Sequence, residues 1–355
     1  MSEGPLMSSR RAIIKAGLAL AALAGPAEAF AAQSLETAAR STTATADYPG
    51  EAADRLLFPG FRRTTIETKG LVVNDTMVSG ATINTLVGGS GPPLLLIHGH
   101  PETHVAWHKV ADTLAQRYTV VLTDLRGYGD SSKPEGGPDH VNYSKRVMGE
   151  DQVQVMRALG FDHIQAVGHD RGGRVLQFMM LDHPEAVTRG AVLDIAPTDG
   201  MYGKTTEEFA TRYFWWFFQI QPAPFPERMI GALPEVYLRD HLDVQSKTPG
   251  AVTPIAFLEY LRCYTLPGSI HAICEDYRAA ATIDRQLLQA TNKKIQQPLM
   301  AIWGAKGTVG QLFDVVPMWQ RDAESVNGRP LPCGHLIEEE DPKGLVEALL
   351  PFLEA

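Results

Sequence analysis

The chain alternates between short, unbroken apolar runs and longer stretches of helical period. Pro93-Leu94-Leu95-Leu96-Ile97 and Tyr118-Thr119-Val120-Val121-Leu122 show no polar alternation, as expected of strands covered on both faces. Residues 163–167 and 191–193 repeat the pattern, and Pro298-Leu299-Met300-Ala301-Ile302-Trp303 resumes it after a long interval. Residues 71–78 and 83–87 are expected to pair as two antiparallel strands. Strands separated by helical segments predict an α/β class, with a mostly parallel sheet and helices on both faces. From residue 199 to about 283 the texture turns aromatic-rich and helical, broken by Gln221-Pro222-Ala223-Pro224-Phe225-Pro226, which predicts an inserted helical cap. No internal repeat is present.

Ahead of this body, Ser9-Arg10-Arg11-Ala12-Ile13-Ile14-Lys15 precedes an Ala-rich apolar stretch at 16–24 and the small residues of Ala29-Phe30-Ala31. Paired arginines, a weakly hydrophobic stretch and small residues at a cleavage point form the pattern of a twin-arginine export signal, so a periplasmic or secreted bacterial protein is expected. The apolar stretch is too short for a stable membrane anchor. The expected division is a signal peptide at 1–31, an Ala, Thr and Ser rich linker at 32–55, a first core segment at 56–198, the cap at 199–285 and a second core segment at 286–355.

At 355 residues, 44% hydrophobic and 21% charged, the chain can bury one large core with an insertion. A net charge of -9, with no run of Lys or Arg beyond a pair, argues against nucleic acid or an anionic membrane surface as partner and for a small-molecule substrate. A homodimer stays open. The three scattered cysteines, Cys263, Cys274 and Cys333, leave room for one disulfide at most and supply no zinc site. With no ligand cluster and no phosphate-binding glycine loop, neither a metal nor an organic cofactor is expected.

The chemistry concentrates at Gly168-His169-Asp170-Arg171-Gly172, which follows one predicted strand and opens a predicted helix. This is the strand-turn-helix elbow with which α/β-hydrolases expose a nucleophile, and any side chain at its glycines would clash where helix and strand approach. Three further pieces follow the same plan: His98-Gly99-His100-Pro101, the segment opening Asp124-Leu125-Arg126-Gly127, and Gly334-His335. The central residue is Asp170, whose alternative use is as a helix N-cap. A carboxylate nucleophile attacking an acyl carbon would form an anhydride, whereas displacement at a saturated carbon gives an ordinary ester that activated water can open. Alkyl halides and epoxides are therefore the natural substrates.

In that scheme His335 deprotonates the water and the amides of His100 and Arg171 form the oxyanion hole. The histidine needs an orienting carboxylate. Ile302-Trp303-Gly304 continues as Ala305-Lys306-Gly307-Thr308 with no acid, so Asp194, at the end of Val192-Leu193-Asp194, is the better candidate. The acids at 338–341 read as a solvated helix entrance. His98 and His169 read as structural hydrogen-bonding residues.

The motif Gly168-His169-Asp170-Arg171-Gly172-Gly173-Arg174 resembles the fluoroacetate and haloacetate dehalogenases, and the resemblance extends from His98 to His335. It implies Asp170 as nucleophile, His335 as base and Asp194 as acid, with Arg171 and Arg174 gripping the substrate carboxylate. Two guanidinium groups at that spacing can converge on a carboxylate beside the reacting carbon. The cap is similar too, through Tyr213-Phe214-Trp215-Trp216 and Asp276-Tyr277-Arg278. Fluoride-cleaving members donate to the halide from a His, a Trp and a Tyr; Trp216 and Tyr277 match the last two, while Trp215 occupies the place of the His. The resemblance thus implies halide binding by Trp215, Trp216 and Tyr277, with chloroacetate or bromoacetate preferred over fluoroacetate. A Leu follows His335 where these enzymes usually carry Phe. The alternative enzyme is an epoxide hydrolase with the same triad and with Tyr213 and Tyr277 protonating the epoxide, against which the arginine pair argues. A third reading, a catalytically silent binding module, is opposed by the intact Asp170, Asp194 and His335.

Overall fold

The computed structural model describes residues 50–355. The export signal expected at 1–31 lies outside the described residues, as does the expected linker up to residue 49; its last part enters the helix Glu51–Leu57. The chain divides into two compact units, Met1–Ala53 and Asp54–Ala355, and the second carries the whole sheet.

Ten strands form: β1 (Arg62–Glu67), β2 (Leu71–Val73), β3 (Thr76–Val78), β4 (Thr82–Gly89), β5 (Pro93–Ile97), β6 (Thr119–Thr123), β7 (Ile164–His169), β8 (Val187–Leu193), β9 (Leu299–Gly304) and β10 (Val326–Leu331). Eight of them make one sheet in the order β1-β4-β6-β5-β7-β8-β9-β10. The run from β6 to β10 is parallel, and β4 and β1 add an antiparallel edge. Leu94, Leu95, Leu96 and Ile97 of β5 and Val120, Val121 and Leu122 of β6 are completely buried, which is why those segments lack polar alternation.

Two local readings change. Residues 71–78 do not pair with 83–87: they fold on themselves as the hairpin β2–β3, while β4 pairs with β1 and β6. The turn residues Asn74 and Asp75 have φ of 46° and 61°, a left-handed conformation that these side chains tolerate and that a two-residue hairpin needs. The edge strand β10 has no apolar run to announce it, and its Gly328 and Pro330 are residues that only an edge position accepts readily.

Between β8 and β9 the chain forms eight helices, from Thr198–Gly203 to Ile283–Ala290. The last crosses the boundary expected at residue 285, because Ile283, Asp284 and Leu287 form a buried face that continues the helical run. No helix among the described residues is long and apolar enough to cross a membrane. Cys263, Cys274 and Cys333 are buried and free.

The sheet positions the chemistry. Strand order reverses at β5, which lies between β6 and β7, and a crevice opens beyond the carboxyl ends of the strands at such a point. Register aligns those ends: His169 is opposite Leu193, and Leu193 opposite Ile302. The residues that follow, Asp170 and Asp194, thus emerge side by side. The turn after β7 is tight, since a Cβ on Gly168 would lie 2.4 Å from the carbonyl oxygen of Gly172 and one on Gly172 would lie 2.3 Å from that of Ile97. Gly172→Ala should therefore cost about 1–3 kcal/mol of unfolding free energy, as overpacking does. Urea denaturation measures it, and an unchanged midpoint would contradict the close approach of helix and strand.

Candidate active site

Asp170 sits at the N-cap position of the helix Arg171–Asp182 with φ 44° and ψ -108°, and its side chain caps nothing. Its amide donates to the carbonyl of Leu193 at 3.0 Å, so the carboxylate is directed away from the helix. One carboxylate oxygen accepts the His100 amide at 3.1 Å, and the other lies 3.9 Å from His335 Nε2. Burial opposes the charge, yet the fields of His335, Arg171 and Arg174 outweigh it and hold the carboxyl well below the ordinary carboxylate range. The Arg171 amide belongs to the first helical turn, whose N–H groups have no intrahelical acceptor.

Asp194, also at positive φ (44°), accepts the Gly304 amide at 2.8 Å through one oxygen and lies 2.5 Å from His335 Nδ1 through the other. The Nδ1–H therefore points at Asp194, and Nε2 faces Asp170 with its lone pair. Burial lowers the basicity of His335, but the hydrogen bond and charge of Asp194 prevail and raise it above the ordinary value. The 3.9 Å gap to Asp170 is too long for a direct hydrogen bond and leaves the base aimed at a proton held between them.

Both arginines are buried beside the nucleophile. Arg171 lies 3.5 Å above the ring of Tyr277, and its Nε is 3.5 Å from Asp276. Arg174 lies 4.7 Å over the ring of Trp216 and donates to Thr198. Arg171 Nε and Nη2 and Arg174 Nε have no hydrogen-bond acceptor among the described residues. Burial and the neighbouring Arg171 push the Arg174 guanidinium down to about 10. Tyr277 and Trp216 are thus drawn into the site under the arginines. Trp215 turns elsewhere: its ring packs 4.3 Å from His241 and 4.9 Å from Tyr213. It lines a cleft of about 370 Å³ that reaches His335 past Tyr213, Gln245 and Lys306.

Behind the triad, His169 places Nδ1 2.9 Å from Glu102 and 2.9 Å from Glu338, and Nε2 2.9 Å from the His335 carbonyl. Acceptors on both sides require both nitrogens to carry protons, so His169 is an imidazolium, its basicity raised by the two carboxylates against the effect of burial. The structural role read for His169 is this: it holds the backbone of His335. The reading of 338–341 as a solvated entrance is overturned in part, for Glu338 and Glu339 are buried. Glu339 accepts from Tyr260 at 2.5 Å, and the partners that make such burial possible are distant in sequence. Glu102, His169 and Glu338 bring possible ligand atoms within 4.8 Å of one another, but an imidazolium has no lone pair to offer an ion. His98 accepts the Leu125 amide at 3.0 Å and lies 2.7 Å from the Gly99 carbonyl, a structural role.

Sequence reasoning missed several groups. Asp276 accepts from Tyr128 at 2.6 Å and pairs with the buried Lys145, tying the helix Ser269–Ala281 to the helix Lys145–Ala158. His241, in the helix Pro234–Gln245, is buried next to the site, and no motif marks it.

Residues 92–342 match the family model described as alpha/beta hydrolase fold. A fluoroacetate dehalogenase from Burkholderia sp. is 41% identical over 299 residues, 84% of this chain and 95% of that protein. A soluble epoxide hydrolase from Corynebacterium sp. (strain C12) is 32% identical over 286 residues, 79% of this chain and 96% of that one. A solved structure from Salmonella enterica superposes with a TM-score of 0.78 at 52% identity, covering 84% of this chain and 96% of its own. A match that spans both halves of the sheet and the helices between them makes the chain a member of the α/β-hydrolase fold family, close to fluoroacetate dehalogenase and to epoxide hydrolases.

Proposed function

We propose that the protein is a hydrolytic dehalogenase of short 2-halocarboxylates, with Asp170 as nucleophile, His335 as base and Asp194 as the acid that orients it. The observation that carries this is the pair of buried guanidinium groups, Arg171 and Arg174, with free N–H donors beside a carboxylate nucleophile. A buried N–H donor without an acceptor is costly, and a substrate carboxylate relieves that cost for both arginines at once.

In the first step an Asp170 oxygen attacks the carbon that bears the halogen, the carbon–halogen bond breaks, and the halide leaves with the electron pair. Asp170 is then an alkyl ester. In the second, His335 Nε2 takes a proton from water, the hydroxide adds to the Asp170 carboxyl carbon, and the His100 and Arg171 amides hold the oxyanion. Collapse expels the 2-hydroxy acid, whose oxygen is reprotonated from His335, and leaves a protonated Asp170, whose proton passes to solvent and restores the carboxylate. Epoxide opening remains the alternative: Tyr213 has a buried hydroxyl with no partner among the described residues and can donate to an epoxide oxygen. A neutral epoxide offers no carboxylate to the free N–H donors of Arg171 and Arg174.

Asp170→Asn should lower kcat for chloroacetate by at least about 10⁴-fold. His335→Asn should still form the ester, so mass spectrometry of the quenched variant should find an adduct on the Asp170 peptide; an unmodified peptide counts against the assignment. Turnover requires neutral His335, whose basicity is raised above its ordinary 6.5, so kcat should climb along a single limb at pH above 6.5. Ester formation needs only ionised Asp170 and should stay level from about pH 5 upward in stopped-flow measurements. Chloroacetate should be hydrolysed and an uncharged chloroalkane of the same size should not, with kcat/KM differing by more than about 10³-fold. Comparable rates would remove the role given to Arg171 and Arg174.

A further inference from the structure

The cleft of about 370 Å³ that ends on His335 takes its charged lining from three separate elements. Arg212 closes the helix Glu207–Arg212, Lys247 follows the helix Pro234–Gln245, and Lys306 lies in the loop after β9. All three line the cleft, and no carboxylate among the described residues does. In a chain of net charge -9, the sign is locally reversed there.

The three cations are not equally free. Arg212 is shared with Glu208 at 2.6 Å and with Gln311. Lys247 donates from its ammonium to the Val244 carbonyl, and its amide donates to Glu340 at 2.8 Å, which keeps an acid close by. Lys306 is exposed, its amide is fixed to the Cys333 carbonyl at 3.0 Å, and its ammonium has no acceptor among the described residues. Gln245 lines the cleft as well. It is 5% exposed, its Nε2 has no acceptor among the described residues, and its carbonyl accepts the His335 amide at 3.2 Å. A buried donor left without an acceptor is costly, and an anion in the cleft supplies one.

We propose that this cleft is the entrance for the anionic substrate, and that Lys306 is the residue that selects for negative charge there. This deepens the dehalogenase reading and rests on it for the identity of the anion alone. Cations along a narrow opening with low-dielectric walls concentrate the field within it, so a small anion is enriched in the cleft and a neutral molecule of the same size is not. His335, on which the cleft ends, has its Nε2 3.9 Å from Asp170. A charge on the approach sets the association rate and its dependence on salt, whereas buried groups that hold the bound ligand set how slowly it leaves. Lys306 therefore gathers the carboxylate that Arg171 and Arg174 retain.

Trp215 is part of the cleft wall, so quenching of its fluorescence by iodide and by acrylamide, one anionic and one neutral, reports how much of each reaches that wall. Iodide quenching should fall about twofold in Lys306→Gln and about fivefold in Lys306→Glu, as one and two unit charges acting through water over roughly 8 Å require. Acrylamide quenching should stay level, and Lys306→Arg should match the parent. Raising the salt from about 0.01 M to about 0.1 M should remove most of the difference, and in Trp215→Phe the difference should vanish. Iodide quenching that ignores the charge at position 306, or that still follows it without Trp215, overturns the role of Lys306. Approach of the substrate is read with the Asp170→Asn protein, which holds fluoroacetate without forming the ester. Fluorine NMR line broadening should there give an association rate lowered by the same factors, and an unchanged rate overturns the entrance. If the parent hydrolyses neither chloroacetate nor fluoroacetate while quenching follows the charge, the dehalogenase reading falls and the anion-selective cleft stands.

Discussion

An ionised carboxylate in a buried pocket is the constraint around which the rest is arranged. Asp170 is 4% exposed, and its charge survives there only because Arg171, Arg174, His335 and the His100 amide surround it. Each compensating group then needs support of its own. The guanidinium groups rest on the faces of Tyr277 and Trp216, and Arg171 is balanced by Asp276. Asp276 in turn is held by Lys145 and Tyr128, and His335 by Asp194 on one side and, through its carbonyl, by His169 on the other. Compensation therefore spreads outward in rings, and the buried charges far from the reacting carbon follow from the one at its centre.

How much of this was legible follows from how local each signal is. The buried apolar strands and the elbow are written in contiguous residues, and β5, β6, β7, β8 and β9 form where those runs stand. β10 is not, because Val326–Leu331 is mostly exposed at an edge and carries Gly and Pro. The hairpin at 71–78 has a local signal, the Asn74-Asp75 turn, which a single strand over 71–78 leaves out. The burial of Glu338 and Glu339 rests on His169 and Tyr260, which only the fold brings near. His241 is of the same kind: a lone histidine on a cap helix acquires meaning from the rings of Trp215 and His100, which come from two other elements.

The two curated relatives use different substrates on one scaffold, and the division of labour in the site shows why that is possible. The residues of the proposed triad follow the ends of β7 and β8 or lie in the loop after β10, and the amides of His100 and Arg171 lie after β5 and β7. The aromatic residues Trp215, Trp216, Tyr213 and Tyr277, and His241 with them, come from helices inserted between β8 and β9 or from the turns between them. Changes in the insertion can therefore reshape what surrounds Asp170 without disturbing the elbow itself, whereas Arg171 and Arg174 are fixed to the core helix.

The pairing of Lys145 with Asp276 has a kinetic meaning as well. Lys145 belongs to a core helix and Asp276 to a helix of the insertion, and both are fully buried. Swinging the insertion away as a rigid flap would separate them, and breaking a buried pair of this kind costs about 3–5 kcal/mol. The insertion is thereby tied to the core in one position, and the cleft of about 370 Å³ that reaches His335 past Tyr213 and Trp215 is open without any movement of it.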